Sequence, residues 1–187
     1  MKLNFVVGDA TNPFKHGDIN AIKIVCHICN DAGGWGSGFV VALTKRFGKG
    51  AGSPEHSYRQ WYKKGEYEHD SSHDGLGMVP FKLGRFQLVT VEVRSLVCNM
   101  VAQNEMGGLY EEGVRLDIAN VNYSSLYECF LRLKTRLSLH FSESEKIELH
   151  APRIGCGLGG GNWNTVEAVI KKALQDTNID VYIYDLP

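Results

Sequence analysis

Two stretches of the chain join an apolar segment to a helical pattern through clustered glycines. They are VCHICNDAGGWGSGFVVALTKRFG over residues 25–48 and IELHAPRIGCGLGGGNWNTVEAVIKKALQ over residues 147–175. Glycine has no Cβ to stand between backbone and ligand and tolerates positive φ, so successive N–H groups can converge on an anion. A helix that begins just after the loop adds its own unpaired N–H groups and its dipole. One such loop need be no more than a tight turn. Two of matching grammar, each with five of the chain's 21 glycines, suit a diphosphate or a nucleotide with two charged ends.

Other phosphate and metal motifs fit less well. Neither loop ends in the Gly-Lys-Ser/Thr of a P-loop. Gly155, Gly157 and Gly160 match GxGxxG between a strand and a helix. A dinucleotide fold would continue into further βαβ units, however, and this sequence ends one strand later. Cys26-x-x-Cys29 lies in an apolar strand-like run, where an offset of three puts the two sulfurs on opposite faces. With no second CxxC, the five cysteines read as buried free thiols in a reducing compartment. HDSSHD at 69–74 has the composition of a metal site, but Ser-Ser between the aspartates argues for a solvated loop rather than the helix an i, i+4 histidine pair needs. No metal and no cofactor are expected.

The elements that must carry the two loops alternate. Strands are expected at 3–7, at the near-continuous apolar run 22–29, at 86–93, 95–103, 146–152 and 181–184. Helices are expected at 38–47, 56–64, from Asn122 with Leu126, Phe130, Leu133 and Leu137 in one stripe, and at 164–175 with Asn164 and Glu167 as an N-cap pair. Residues 49–80, outside the short helix, and 104–119 read as surface insertions. The order predicts a single α/β domain over 1–187 with a mixed, largely parallel sheet.

Composition narrows the partners. Lys plus Arg number 20 and Asp plus Glu 21, for a net charge of −1, and no basic stripe suits duplex nucleic acid. The start MKLNFVVGDAT has neither the charged leader nor the apolar core of a signal peptide, and no apolar run reaches membrane-spanning length. A cytoplasmic protein is expected, with no membrane partner.

These residues resemble the macrodomains, a family that binds ADP-ribose, over nearly the whole chain. The likeness lies in Gly8-Asp9 after the first strand, in Cys29-Asn30-Asp31 followed by GGWGSGFVVAL, in NMVAQ at 99–103, in Asn122-Tyr123-x-x-Leu126, and above all in APRIGCGLGGGNW at 151–163 with the tail VYIYDLP. The nearest branch looks like the bacterial proteins that process ADP-ribose-1''-phosphate. The resemblance implies a three-layer α/β/α fold. It implies that Asp9, with Ala10, takes the adenine amino group. The diphosphate would lie between Trp35, Gly36, Ser37, Gly38, Phe39 and Val40 and the loop Gly155, Cys156, Gly157, Leu158, Gly159, Gly160 and Gly161. Asn30 would hold ribose hydroxyls, Trp35 would cover the distal ribose and Tyr123 would flank the adenine, core packing being the competing role for both aromatics.

For catalysis the candidates are the residues flanking Asn30: His27 as proton donor, since a histidine suits near-neutral acid–base work, and Asp31 as a carboxylate orienting water. His27 and Asn30 are three apart, so the chain must turn near Cys29 to bring both to one site; a satisfied strand histidine is the alternative. A branch that removes ADP-ribose from glutamate uses a lysine and an aspartate, and the matching positions here are Gln103 and Gly159. What remains is substrate-assisted attack of water on ADP-ribose-1''-phosphate or on an O-linked ADP-ribosyl or acetyl ester. The rival readings are a non-catalytic reader of ADP-ribosylated macromolecules and an enzyme acting on a cyclic phosphate or on NAD.

Overall fold

The structure, a computed structural model, describes residues 1–68, 77–105, 110–111, 114–115 and 119–187. Besides one short 3-10 helix at Pro13–Lys15, ten strands and four α-helices follow in chain order among these residues. They are β1 (Lys2–Val7), β2 (Ile22–Asn30), α1 (Phe39–Phe47), α2 (Pro54–Lys64), β3 (Glu66–Glu68), β4 (Met78–Pro80), β5 (Arg85–Glu92), β6 (Ser95–Gln103), β7 (Tyr110–Glu111), β8 (Val114–Arg115), α3 (Tyr123–His140), β9 (Ile147–Pro152), α4 (Trp163–Leu174) and β10 (Asp180–Asp185).

Six strands make one sheet in the order β1-β10-β9-β2-β6-β5. All neighbours in it are parallel except β5, which folds back antiparallel on β6. Helices cover both faces, which is why β2 reads as a continuous apolar run rather than an alternating one. Ile22, Ile24 and Cys26 pack against α3 and α4, while Val25 and Cys29 face α1 and α2. Cys26 and Cys29 therefore lie on opposite faces, as period two requires, and all five cysteines are free thiols. The expected mixed, largely parallel α/β/α sandwich is the observed fold. Among the described residues no helix is long and apolar enough to cross a membrane.

Two local readings need correction. The N-cap of α4 is Asn162, whose Oδ1 accepts from the Thr165 N–H at 3.3 Å. Asn164 lies inside the helix, and Glu167 pairs with Lys171 instead. The short helix expected from residue 56 starts earlier: α2 begins at Pro54 behind a Ser53 cap, and it buries Tyr58 and Trp61. The HDSSHD segment lies outside the described residues.

Candidate functional site

The parallel strands point their C-terminal ends, and the loops that follow them, at one rim of the sheet. There a cavity of about 440 Å³ opens. Open α/β sheets bind ligands at this place because the loops after the strands converge there.

One wall is the start of α1. Its N-cap is Gly38, at φ +75°, and among the described residues no side chain caps the helix. A side-chain cap would take first-turn N–H groups. Here Ser37, Gly38, Phe39 and Val40 line the cavity instead. The opposite wall is the loop after β9. It closes on itself through Gly161 N–H to Gly155 O at 2.8 Å, Gly160 N–H to Gly157 O at 3.0 Å and Cys156 N–H to Arg153 O at 3.1 Å. Its middle residues Gly157, Leu158 and Gly159, with Gly155, line the cavity. Glycine is obligatory at 159 for want of space: a Cβ there would lie 2.8 Å from Gly155 O and 3.0 Å from Val121 Cγ2.

One end of the cavity carries Gly8, Asp9 and Ala10. Asp9 Oδ1 accepts from both the N–H and the hydroxyl of Thr11, at 2.9 and 2.8 Å, which fixes an exposed carboxylate just past β1. Beside it stand Tyr184 and Arg153, neither singled out by the sequence. Tyr184 is 4% exposed and its hydroxyl donates to His150 Nδ1 at 2.8 Å. Burial lowers the pKa of His150 to about 4, so the imidazole is neutral. With Glu148 Oε2 3.4 Å from Nε2, the proton is assigned there, which leaves Nδ1 to accept. Alternation with Tyr182 along β10 was the available signal for Tyr184. Arg153 sits one strand-end before the glycine loop, its guanidinium over the rings of Phe5 and Trp163 at 5.5 and 4.9 Å.

The structure thus brings together Asp9, Ala10, His27, Ser37, Gly38, Phe39, Val40, Gly155, Gly157, Leu158 and Gly159, and adds Gln103. Other expected residues stand behind the walls. Trp35 is core: it donates its indole N–H to Thr44 Oγ1 at 2.8 Å and packs its ring on His27 and Tyr58. Tyr123 accepts the Asn162 N–H at 2.8 Å and so ties the end of the second loop to α3. Cys156, Gly160 and Gly161 shape that loop without lining the cavity, and Gly36 also lies off it.

The three residues weighed for catalysis are each engaged. His27 is buried, which lowers its pKa to about 4, with hydrogen bonds to Asn99 and Ile28 O opposing the shift. Its Nε2 lies 2.7 Å from Asn99 Oδ1, while Asn99 Nδ2 donates to Pro54 O and Gln87 Oε1. Both ring nitrogens thus face oxygens, Nε2 the Asn99 Oδ1 and Nδ1 the Ile28 O at 3.2 Å. The neutral ring can donate to only one, and the shorter contact takes the proton at Nε2. Asn30 donates to Gly34 O and accepts at Oδ1 from the N–H groups of Ala32 and Gly34, organising its own loop. Asp31 accepts the Glu105 N–H at 2.7 Å. The turn expected near Cys29 exists, as a shift of register between Cys29 and Asn30. It brings Asn30 and Asp31 to the loop, and neither lines the cavity.

Comparison with known proteins places this architecture. No family model matches the chain. A solved macrodomain protein from Streptomyces coelicolor is 32% identical, covers 98% of this chain and 99% of its own, and superposes with a TM-score of 0.68. The chain belongs to the macrodomain family. A Bacteroides thetaiotaomicron protein of unknown function is 36% identical over 99% of this macrodomain and 98% of its own chain, with a TM-score of 0.78. Thermosipho africanus DarTG, solved in complex with ADP-ribose, shares the fold at 15% identity and a TM-score of 0.60, this macrodomain matching 42% of it.

Proposed function

We propose that the cavity binds ADP-ribose, with adenine against Asp9, the diphosphate between residues 37–40 and 157–159, and the distal ribose toward Gln103. The observation that carries this is the pairing of an uncapped helix start with a glycine loop across one cavity, with a fixed carboxylate at its end. The walls supply N–H donors for two phosphates, and the carboxylate an acceptor for an exocyclic amine. That a protein of this fold, DarTG, was solved with ADP-ribose supports the reading. Free cysteines suit a reducing, cytoplasmic setting.

A second step is hydrolysis of an ADP-ribose derivative, ADP-ribose-1''-phosphate or an O-linked ester, including an ADP-ribosylated macromolecule. With His27 held by Asn99, and Asn30 and Asp31 off the cavity, the substrate's own phosphates would orient the water. What favours turnover is that Ser37 and Gln103, neutral hydrogen-bonding side chains, line the cavity. The engagement of all three candidate catalytic groups favours the reader.

Calorimetry separates these. Asp9→Ala is expected to weaken ADP-ribose binding by about 1–3 kcal/mol, the scale of one hydrogen bond to a charged group. Unchanged affinity overturns the adenine placement, and no heat from wild type overturns the ligand. Phosphorus NMR of ADP-ribose-1''-phosphate then decides turnover: inorganic phosphate appears for a phosphatase, whereas broadened ligand signals without release mark a reader.

A further inference from the structure

Helix α2 grips the first glycine loop from the side away from the cavity. The Tyr58 hydroxyl donates to Asn30 O at 2.7 Å and lies 3.1 Å from Asn30 Oδ1. Arg59 donates through Nη2 to Trp35 O at 3.0 Å and through Nη1 to Gly33 O at 3.4 Å. Glu55 orients that guanidinium, Nε to Oε1 at 3.1 Å. Its other oxygen accepts the Thr44 hydroxyl at 2.8 Å, and Thr44 in turn accepts the Trp35 indole N–H. The Tyr62 ring occupies the space beside Gly33, where a Cβ would come within 2.4 Å of it.

A peptide unit is planar and trans, so its C=O and the following N–H point in opposite directions. With the Trp35 carbonyl drawn to Arg59, the Gly36 N–H is turned away from α2. The chain then enters residues 37–40, which line the cavity. None of Glu55, Tyr58, Arg59 or Tyr62 lines it.

We propose that α2 is a positioning element for the ligand loop, with Arg59 as its principal residue. The planar guanidinium fork spans two carbonyls at once, which a point charge or a neutral amide does not reproduce. It holds the peptide planes of 33–36 before any ligand arrives, and a loop ordered in advance loses less freedom on binding. Arg59 reaches solvent, with 47% of its side chain exposed, so replacing it leaves the core intact.

The test uses Arg59→Gln and Arg59→Lys. In the ligand-free protein, Arg59→Gln should speed hydrogen exchange of amides 33–38 about tenfold, the effect of about 1.4 kcal/mol, and leave 155–161 unchanged. Unchanged exchange at 33–38 overturns the proposal whatever the ligand proves to be. The ligand arm rests on the ADP-ribose reading. Affinity for ADP-ribose should fall about tenfold, with Arg59→Lys between, while AMP, lacking the second phosphate and distal ribose, binds as to wild type. Equal losses for AMP and ADP-ribose would mean a general structural defect and overturn the positioning role. Failure of wild type to bind ADP-ribose removes the functional reading and leaves exchange to decide the positioning.

Discussion

Arg153 and Asp185 meet in a double hydrogen bond at the rim of the sheet, Nε to Oδ1 at 2.5 Å and Nη2 to Oδ2 at 2.8 Å. The pair joins two sides of the cavity. Arg153 leads into the second glycine loop, and the backbone oxygen of Asp185 accepts the N–H of Gly8, next to Asp9. Hydrogen bonding to Arg153 holds the Asp185 carboxyl below its usual pKa. A carboxyl depressed in the folded state adds stability above its unfolded pKa and loses it as pH falls through the folded one. Urea midpoints of wild type should therefore drop more steeply below about pH 4 than those of Asp185→Asn. Both side chains are more than a third exposed, so high salt should narrow the difference. Parallel acid profiles would deny the pair any role in holding the walls.

Gly155 tests the geometry of the second loop. It sits at φ +70°, and a Cβ would come within 2.4 Å of Val121 Cγ2 and 3.1 Å of Ile28 Cδ1. Gly155→Ala is expected to cost about 2–4 kcal/mol, combining left-handed backbone strain with overpacking. Adding Val121→Ala should return the steric share and leave the backbone share, so unfolding free energies around the cycle should show favourable coupling. A Gly155→Ala protein as stable as wild type would contradict this loop conformation.

Why some of this was legible in the sequence, and some not, follows from range. The apolar run of β2 and the glycine loops are local signals, and of the two loops Ser37–Val40, Gly155 and Gly157–Gly159 line one cavity. Period two put Cys26 and Cys29 on opposite faces correctly. His27 is different. Its role depends on Asn99, which the β2–β6 register sets directly across from it, and no local pattern encodes that register. For Trp35 the sequence left ligand cover and core packing both open, because its partners, Thr44 and Glu55 beyond it, lie 9 and 20 positions further on. In α2 the local spacing of Tyr58, Trp61 and Tyr62 marks a helix, but its depth of burial depends on distant partners that no local pattern shows. Asn162 and Asn164 can each cap a helix, and packing of Trp163 on Arg153 accompanies the earlier start.

The burial of His27 predicts a pH dependence. The imidazole has an ordinary pKa of 6.5 and, buried, one of about 4. Between those values the unfolded chain binds a proton that the folded protein refuses. Stability is therefore full above pH 6.5 and falls as pH drops toward 4. The difference corresponds to about 3 kcal/mol. His150 adds a second slope in the same direction. His27→Gln should flatten the profile only in part, as read from denaturant unfolding at a series of pH values. Should hydrolysis of an ADP-ribose derivative be detected, its rate should show no ionisation of His27 near neutrality. A variant with the wild-type pH profile would mean that His27 is solvated and free to act as an acid.

The Lys23–Glu148 ion pair lies with both side chains fully buried near the starts of β2 and β9. Lys23 Nζ also donates to His16 O at 2.9 Å, and Glu148 Oε1 accepts the Asp18 N–H at 3.0 Å. Glu148 Oε2 lies 3.4 Å from Nε2 of His150, the histidine that accepts from Tyr184. Gly17 packs so closely that a Cβ would fall 2.1 Å from the same carboxylate oxygen. Glu148→Gln leaves an ammonium in the core without its counter-charge, and should cost about 3–5 kcal/mol. Replacing both, Lys23→Met with Glu148→Leu, removes the charges together and should cost less than Glu148→Gln, because desolvation offsets much of the attraction in a buried pair. Urea unfolding of the three proteins checks the order. A double variant less stable than Glu148→Gln would show that the pair's hydrogen bonds to His16 and Asp18, rather than mutual charge compensation, hold this part of the fold.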